Sequence, residues 1–104
     1  MNIQFNTDKN IAGSEELNTY LSSIINEGLD RFSDHITRLE VHISDENSSK
    51  GGQKDKRCLL EARLENMQPI AVSDHADTVQ QAVKGAVEKM KASLDTVTGR
   101  LKNH

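Results

Sequence analysis

Side chains suited to catalysis or metal binding are few in this chain and lie far apart in the sequence. The candidates are His35, His42, His75, His104 and the single thiol, Cys58. A structural metal site needs closely spaced ligands, and a catalytic site needs a nucleophile with its base, paired carboxylates or a glycine-rich phosphate loop. The sequence shows none of these spacings. We therefore predict neither an enzyme nor a bound metal or cofactor, and interpret the histidines as exposed and the thiol as a small core residue.

Basic side chains near the end of the chain are the strongest candidates for binding. They are Lys84, Lys89, Lys91, Arg100 and Lys102. If residues advance by about 100° on a helix, Lys84, Lys91 and Lys102 fall almost in line. Lys89 and Arg100 then project together from one flank. Such a surface can attract a polyanion, but a charged outer face also keeps an ordinary helix soluble, and the pattern leaves both interpretations open.

A second group of basic residues lies within and directly after residues 45–56, a run without a single apolar side chain. The basic residues are Lys50, Lys54, Lys56 and Arg57. We predict a long hairpin loop with Gly51 and Gly52 at its tip. The loop could close on a phosphate, but acidic residues in the same run favour an ordinary solvated loop.

Charge is unevenly distributed along the chain. There are 13 basic and 16 acidic residues, for a net charge of −3. Residues 1–49 contain three basic and nine acidic residues, whereas residues 50–104 contain ten and seven. The total excludes a protein that coats nucleic acid by bulk charge, and the second half permits a local contact with an acidic ligand.

The length of 104 residues predicts one domain spanning 1–104, and the 35% hydrophobic content without tryptophan predicts an aliphatic core. Residues 1–7 lack the basic region and apolar run of a leader, and no stretch approaches the roughly 20 apolar residues of a membrane span. A single cysteine fits a reducing compartment. We expect a cytoplasmic protein with no membrane partner and no small-molecule substrate.

Two helices are predicted from apolar residues that recur every three or four positions. The longer covers residues 77–104, with Asp77 as its N-cap and Gln80 completing a capping box. Its apolar stripe is Val79, Ala82, Val83, Ala86, Val87, Met90, Leu94, Val97 and Leu101. The earlier helix begins after Ser14 as N-cap, and its inner face runs from Leu17 to Leu29.

Strands are predicted where apolar and polar residues alternate. The alternation covers residues 1–6, 38–44 and 57–65, and a short fourth strand is indicated by Ile70 and Val72. The resulting order is β-α-β-β-β-α. We therefore predict the α+β class, with two amphipathic helices covering one face of a four-stranded sheet.

In this order of elements the chain resembles the short members of the ribosome hibernation promoting factor and protein Y family, also called sigma-54 modulation proteins. The resemblance spans essentially the whole chain. Its carriers are the opening MNIQFNTDKNIAGSEEL, the passage RFSDHITRLEVHI, and IAVSDHADTVQQAVKGAVEKM with the closing GRLKNH. The resemblance implies the double-stranded-RNA-binding-like fold.

The resemblance also implies a function, which is binding to ribosomal RNA of the small ribosomal subunit in the channel used by messenger and transfer RNA. Lys89, Arg100 and Lys102 match basic sites of the family's last helix, and Lys84 and Lys91 are further basic residues on it. We predict that these five contact RNA phosphates. Longer relatives continue into a dimerisation domain, so we expect this chain to be a monomer when free.

A competing hypothesis keeps the same fold but assigns it a different role. The outward residues of the first helix include no basic side chain, and Ala92, Thr96 and Thr98 stand where many relatives are basic. Both observations reduce the basic surface available to RNA. The alternative is a regulatory protein-interaction module that has lost ribosome binding.

Overall fold

The computed structural model consists of a four-stranded sheet with two helices on one face. It describes residues 1–8, 11, 13–46 and 55–102, with the backbone alone for 100–102. The elements are β1 (Asn2–Thr7), α1 (Glu15–Leu29), a 3-10 turn (Asp30–Phe32), β2 (Ile36–Asp45), β3 (Lys56–Leu64), β4 (Ile70–Ala76) and α2 (Val79–Lys102). The predicted β-α-β-β-β-α order and the α+β class are confirmed. Neither helix in the described part of the chain is long and apolar enough to cross a membrane.

The strands lie in the order β1-β2-β3-β4. β1 runs parallel to β2, and the other two pairs are antiparallel. A parallel pair needs a crossover connection, and α1 supplies it. The register brings β4 alongside β3, with Cys58 opposite Asp74, and thereby places β4 under α2.

The core lies between the sheet and the helices, where the apolar face of the strands packs against the apolar faces of both helices. Its fully buried members include Leu21 and Ile25 from α1, Leu39 from β2, Leu60 from β3 and Met90 from α2. Phe32 closes the end of this core at 3% exposure, because the 3-10 turn folds the chain back toward β2.

The helices approach each other closely at one glycine. Gly28 on α1 faces Val87 on α2, and a Cβ at position 28 would overlap the Val87 Cγ1 methyl. The absence of a side chain at position 28 therefore sets the distance between the helices.

One predicted helix cap is confirmed and the other is wrong. The Ser14 hydroxyl accepts a hydrogen bond from the Leu17 amide at 3.0 Å, as predicted for α1. At α2 the cap is Thr78, whose hydroxyl accepts from the Gln81 amide at 3.1 Å, and the helix begins at Val79. Thr78 takes the role predicted for Asp77 because β4 continues through Ala76 and delays the start of the helix.

The predicted loop over residues 45–56 is too long at both ends. Asp45 pairs with Lys56 in the β2–β3 ladder, and the Glu46 amide donates to the Asp55 carbonyl at 2.8 Å. The strands continue through polar residues here because backbone pairing does not depend on apolar side chains. Gly51 and Gly52, the predicted tip, lie outside the described residues.

Candidate nucleic-acid interface

Helix α2 carries all five predicted RNA-contacting residues. Lys84 and Lys89 are exposed and Lys91 is half-buried. Arg100 and Lys102 belong to the same helix, but their side chains lie outside the described part of the structure. The geometry of the candidate site is therefore that of Lys84, Lys89 and Lys91.

Lys89 is held against the edge of the sheet. Its Nζ donates to the Ser73 carbonyl at 2.8 Å and lies 3.3 Å from Asp74 Oδ1. Both partners belong to β4, which packs under α2. The Lys89 side chain is nevertheless 55% exposed, so a ligand can reach its ammonium group.

Lys91 forms a looser ion pair within the helix. Its Nζ lies 3.6 Å from Glu88 Oε1, three residues earlier in α2. Exposed pairs of this kind contribute about 0–1 kcal/mol, because water and salt screen them. A phosphate can therefore replace Glu88 at small cost.

Lys84 has no ion-pair partner among the described residues. It borders an open groove between the helices, together with Tyr20, Glu27 and Val87. Tyr20 stands at the rim of this groove with 45% of its surface exposed, next to the close contact at Gly28. Of the three lysines that can be compared, Lys84 has the charge most available to an incoming phosphate.

The charges of α1 limit the basic surface on the helical side. Glu15 and Glu16 lie exposed in its first turn, and Glu27 is exposed toward its end. In the 3-10 turn that follows, the Arg31 guanidinium forms an ion pair with Asp95 of α2. The described lysines of α2 therefore lie on two sides of the helix: Lys84 borders the groove toward the acidic α1, whereas Lys89 lies against β4.

In the described strands, the outer face of the sheet offers no comparable set of available lysines, because its charges neutralise one another. Glu40 pairs with Arg38 at 3.1 Å and with Arg63 at 3.4 Å, and Glu46 pairs with Arg57 at 3.5 Å. Desolvation raises the pKa of the Glu40 carboxyl, but the two arginines outweigh it and hold that pKa below its usual range. This face is balanced and does not favour a polyanion.

The three described histidines do not converge on a site, and His104 lies outside the described residues. His35 and His75 are exposed, as predicted, whereas His42 is half-buried on the outer face of the sheet, with its Nε2 3.6 Å from Glu40 Oε1. Within residues 1–46 and 55–102, the described positions include no cluster of histidine, cysteine and acidic residues that could hold a metal ion.

The described members of the second predicted basic group, Lys56 and Arg57, are paired with carboxylates at the base of the hairpin. Lys56 Nζ lies 3.0 Å from Asp55 Oδ1 and 3.3 Å from Asp45 Oδ2. The hydrogen bond that Lys56 donates to Asp55 raises the pKa of the Lys56 ammonium, and the hydrogen bond to Asp45 and the charge of that carboxylate add to the effect. Lys50 and Lys54 lie outside the described residues. The contacts at the base of the hairpin therefore leave both interpretations of the loop open.

Cys58 is fully buried between the sheet and the helices, as predicted from its strand pattern. Burial raises the pKa of its thiol to about 12, and the negative charge of Asp74 on the neighbouring strand adds to the effect. Only the thiolate is nucleophilic, so the group is chemically inert in the folded protein.

We expect Cys58 to resist thiol reagents at pH 8 until the protein unfolds. Between pH 9.0, the ordinary pKa of a thiol, and about pH 12, the folded protein keeps the Cys58 thiol protonated. The unfolded chain loses this proton in the same pH range. This contribution to stability is therefore complete below pH 9 and is lost as pH rises toward 12. Ellman's reagent, added with and without denaturant, measures the difference. Rapid labelling of the native protein would contradict the buried position.

Comparison with known proteins connects this arrangement to solved structures. The N-terminal domain of Protein Y from Thermus thermophilus matches with a TM-score of 0.74 at 18% sequence identity, covering 93% of this chain and 99% of that one. A ribosomal subunit interface protein from Coxiella burnetii matches with a TM-score of 0.70 at 17% identity, covering 95% and 99%. These likenesses show that the fold is shared.

A family model supplies the sequence evidence. No curated protein sequence matches the chain significantly. The model described as sigma 54 modulation protein / S30EA ribosomal protein matches residues 4–102, which is nearly the whole chain. The chain therefore belongs to the sigma 54 modulation protein / S30EA ribosomal protein family, as its resemblance predicted.

Proposed function

We propose that this protein binds the small ribosomal subunit through α2 and inhibits translation by occupying the channel used by messenger and transfer RNA. It acts in the cytoplasm as a non-enzymatic factor and is a monomer when free. The observation that carries the proposal is the set of solvent-accessible lysines on α2, on a domain whose outer sheet face is electrically balanced. Family membership supports a ribosomal partner, and the Coxiella burnetii protein of similar fold is described as a ribosomal subunit interface protein.

Electrostatics determines how such a contact should behave. Each phosphate neutralised by a lysine or arginine releases condensed counterions, so affinity falls as salt rises. The logarithm of the binding constant should fall by about 0.7–0.9 per contact for each tenfold increase in salt. If Lys84, Lys89, Lys91, Arg100 and Lys102 all contact RNA, the slope lies between about −3.5 and −4.5.

The test is cosedimentation of the purified protein with small ribosomal subunits over a series of salt concentrations. We expect binding at low salt that weakens as salt rises, with a slope no steeper than that of five full contacts. A cell-free translation reaction then tests inhibition, which should be relieved when messenger RNA is bound before the protein is added. A protein that stays in the supernatant at low salt would contradict ribosome binding, and bound protein without inhibition would contradict occupation of the channel.

A second candidate function is supported by the charge of the helices. The exposed carboxylates of Glu15, Glu16 and Glu27 on α1 fit a basic protein surface better than a polyanion, and two of the α2 lysines are already paired. This favours a regulatory protein-interaction module on the same fold. A pull-down dominated by one protein and insensitive to nuclease would favour this role over ribosome binding.

A further inference from the structure

Asp74 is lodged between the sheet and α2 in a position that only a glycine on the helix permits. Its side chain lies on the helix-facing side of β4, beside Cys58 in the register. A Cβ at Gly85 would overlap Asp74 Oδ2, so the carboxylate rests directly against the helix backbone. One helical turn after Gly85, the Lys89 ammonium lies 3.3 Å from Asp74 Oδ1.

This arrangement weakens the attraction of Lys89 for a phosphate. A phosphate oxygen about 4 Å from the Lys89 ammonium stands roughly 6 Å from the Asp74 carboxylate when it approaches from solvent. Because Coulomb energy falls as the inverse of distance, repulsion by Asp74 then cancels about two thirds of the attraction. The Ser73 carbonyl, which also accepts from Lys89 at 2.8 Å, further occupies the donors of that ammonium.

We propose that Asp74 sets the RNA affinity of the α2 surface by competing with phosphate for Lys89. The proposal rests on the proposed function and concerns the strength of the same contact. Asp74 lowers the number of effective phosphate contacts by about one, which makes the complex weaker and easier to dissociate. Gly85 is the positioning residue, because it makes room for the carboxylate beside the helix.

The pair contributes little to the fold, so its effect on binding can be measured separately. The Lys89 and Asp74 side chains are 55% and 32% exposed, and solvent screens a pair of this kind. Asp74→Asn keeps the size of the side chain and an oxygen that can accept from Lys89, but removes the charge. Gly85→Ala displaces the carboxylate by direct overlap. Both variants should therefore reduce the negative charge beside Lys89, the first by removing it and the second by displacing it.

The experiment measures cosedimentation of wild type and variants with small ribosomal subunits over a salt series. We expect Asp74→Asn to bind up to about fivefold more tightly at low salt. Its salt slope should be steeper by about 0.7–0.9, the increment of one phosphate contact. Gly85→Ala should shift binding in the same direction, and Asp74→Asn should have almost no effect in a Lys89→Ala background.

The matched control is Glu61→Gln, which makes the same change in charge on the outer face of the sheet. Glu61 pairs with Arg63 at 3.1 Å and lies away from α2. Equal gains from Glu61→Gln and Asp74→Asn would overturn the proposal in favour of a general charge effect. Wild-type binding with an unchanged slope in Asp74→Asn would overturn this inference alone. Failure of the wild type to bind at low salt would overturn the proposed function and this inference with it.

Discussion

Reversing the charge of Lys84 should weaken binding to the small ribosomal subunit by about tenfold without unfolding the protein. Lys84 has no ion-pair partner among the described residues, so Lys84→Glu removes the least neutralised of the three lysines whose contacts are described. The introduced carboxylate also repels the phosphate that the lysine attracted. The same reversal at Lys91 should cost less, because Glu88 already neutralises part of its charge.

A matched variant separates a local contact from an effect of net charge. Arg63→Glu changes the charge by the same two units, but Arg63 lies on the outer sheet face, where it pairs with Glu40 and Glu61. We expect it to leave ribosome affinity nearly unchanged. Cosedimentation of both variants at one low salt concentration measures the difference, and thermal unfolding confirms that each is folded. Equal losses from Lys84→Glu and Arg63→Glu would show that α2 is not the contact surface.

Most of the fold could be predicted from the sequence because its signals are local. Alternation in the strands and three- to four-residue spacing in the helices depend on near neighbours, and both identified the correct elements. The errors arose at the ends of elements, where pairing with a distant strand determines which of two adjacent residues begins or ends the element. Thr78 caps α2 instead of Asp77, since β4 pairs with β3 through Ala76.

The candidate site was predictable in position but not in its contacts. The helical angle correctly placed Lys84 and Lys89 on the surface of α2. The pairing of Lys89 with Asp74 depends on which strand lies under α2. The periodicity of apolar residues carries no information about the order of the strands in the sheet. One signal was available in the sequence, because Gly85 interrupts a helix of good helix formers at a cost of about 0.5–1 kcal/mol. At position 85 the structure shows a close neighbour, the Asp74 carboxylate, whereas Gly99 of the same helix has none, so the sequence signal alone does not separate the two.

The close contact between α1 and α2 at Gly28 should make the stability of the protein sensitive to a side chain at that position. Gly28→Val should lower the free energy of unfolding by about 3 kcal/mol, the upper end for an overpacked core. The first added carbon would already overlap the Val87 Cγ1 methyl, and two further methyl groups would follow it into the contact. For a domain of this size, we expect the melting temperature to fall by roughly 10–20 °C.

Gly99→Ala is the control, because Gly99 is a helix glycine that does not face a close neighbour. A Cβ at position 99 would meet nothing within 4 Å, so alanine fits α2 without strain. It should raise the free energy of unfolding by about 0.4–1 kcal/mol by restricting the unfolded chain. Thermal unfolding followed by circular dichroism measures both variants. Opposite signs at the two positions would show that Gly28 is needed for the helix contact, and stabilisation at both would mean that α1 and α2 lie farther apart.

Because Lys84 borders the groove formed by that contact, the spacing set by Gly28 also sets how α2 presents its most available charge.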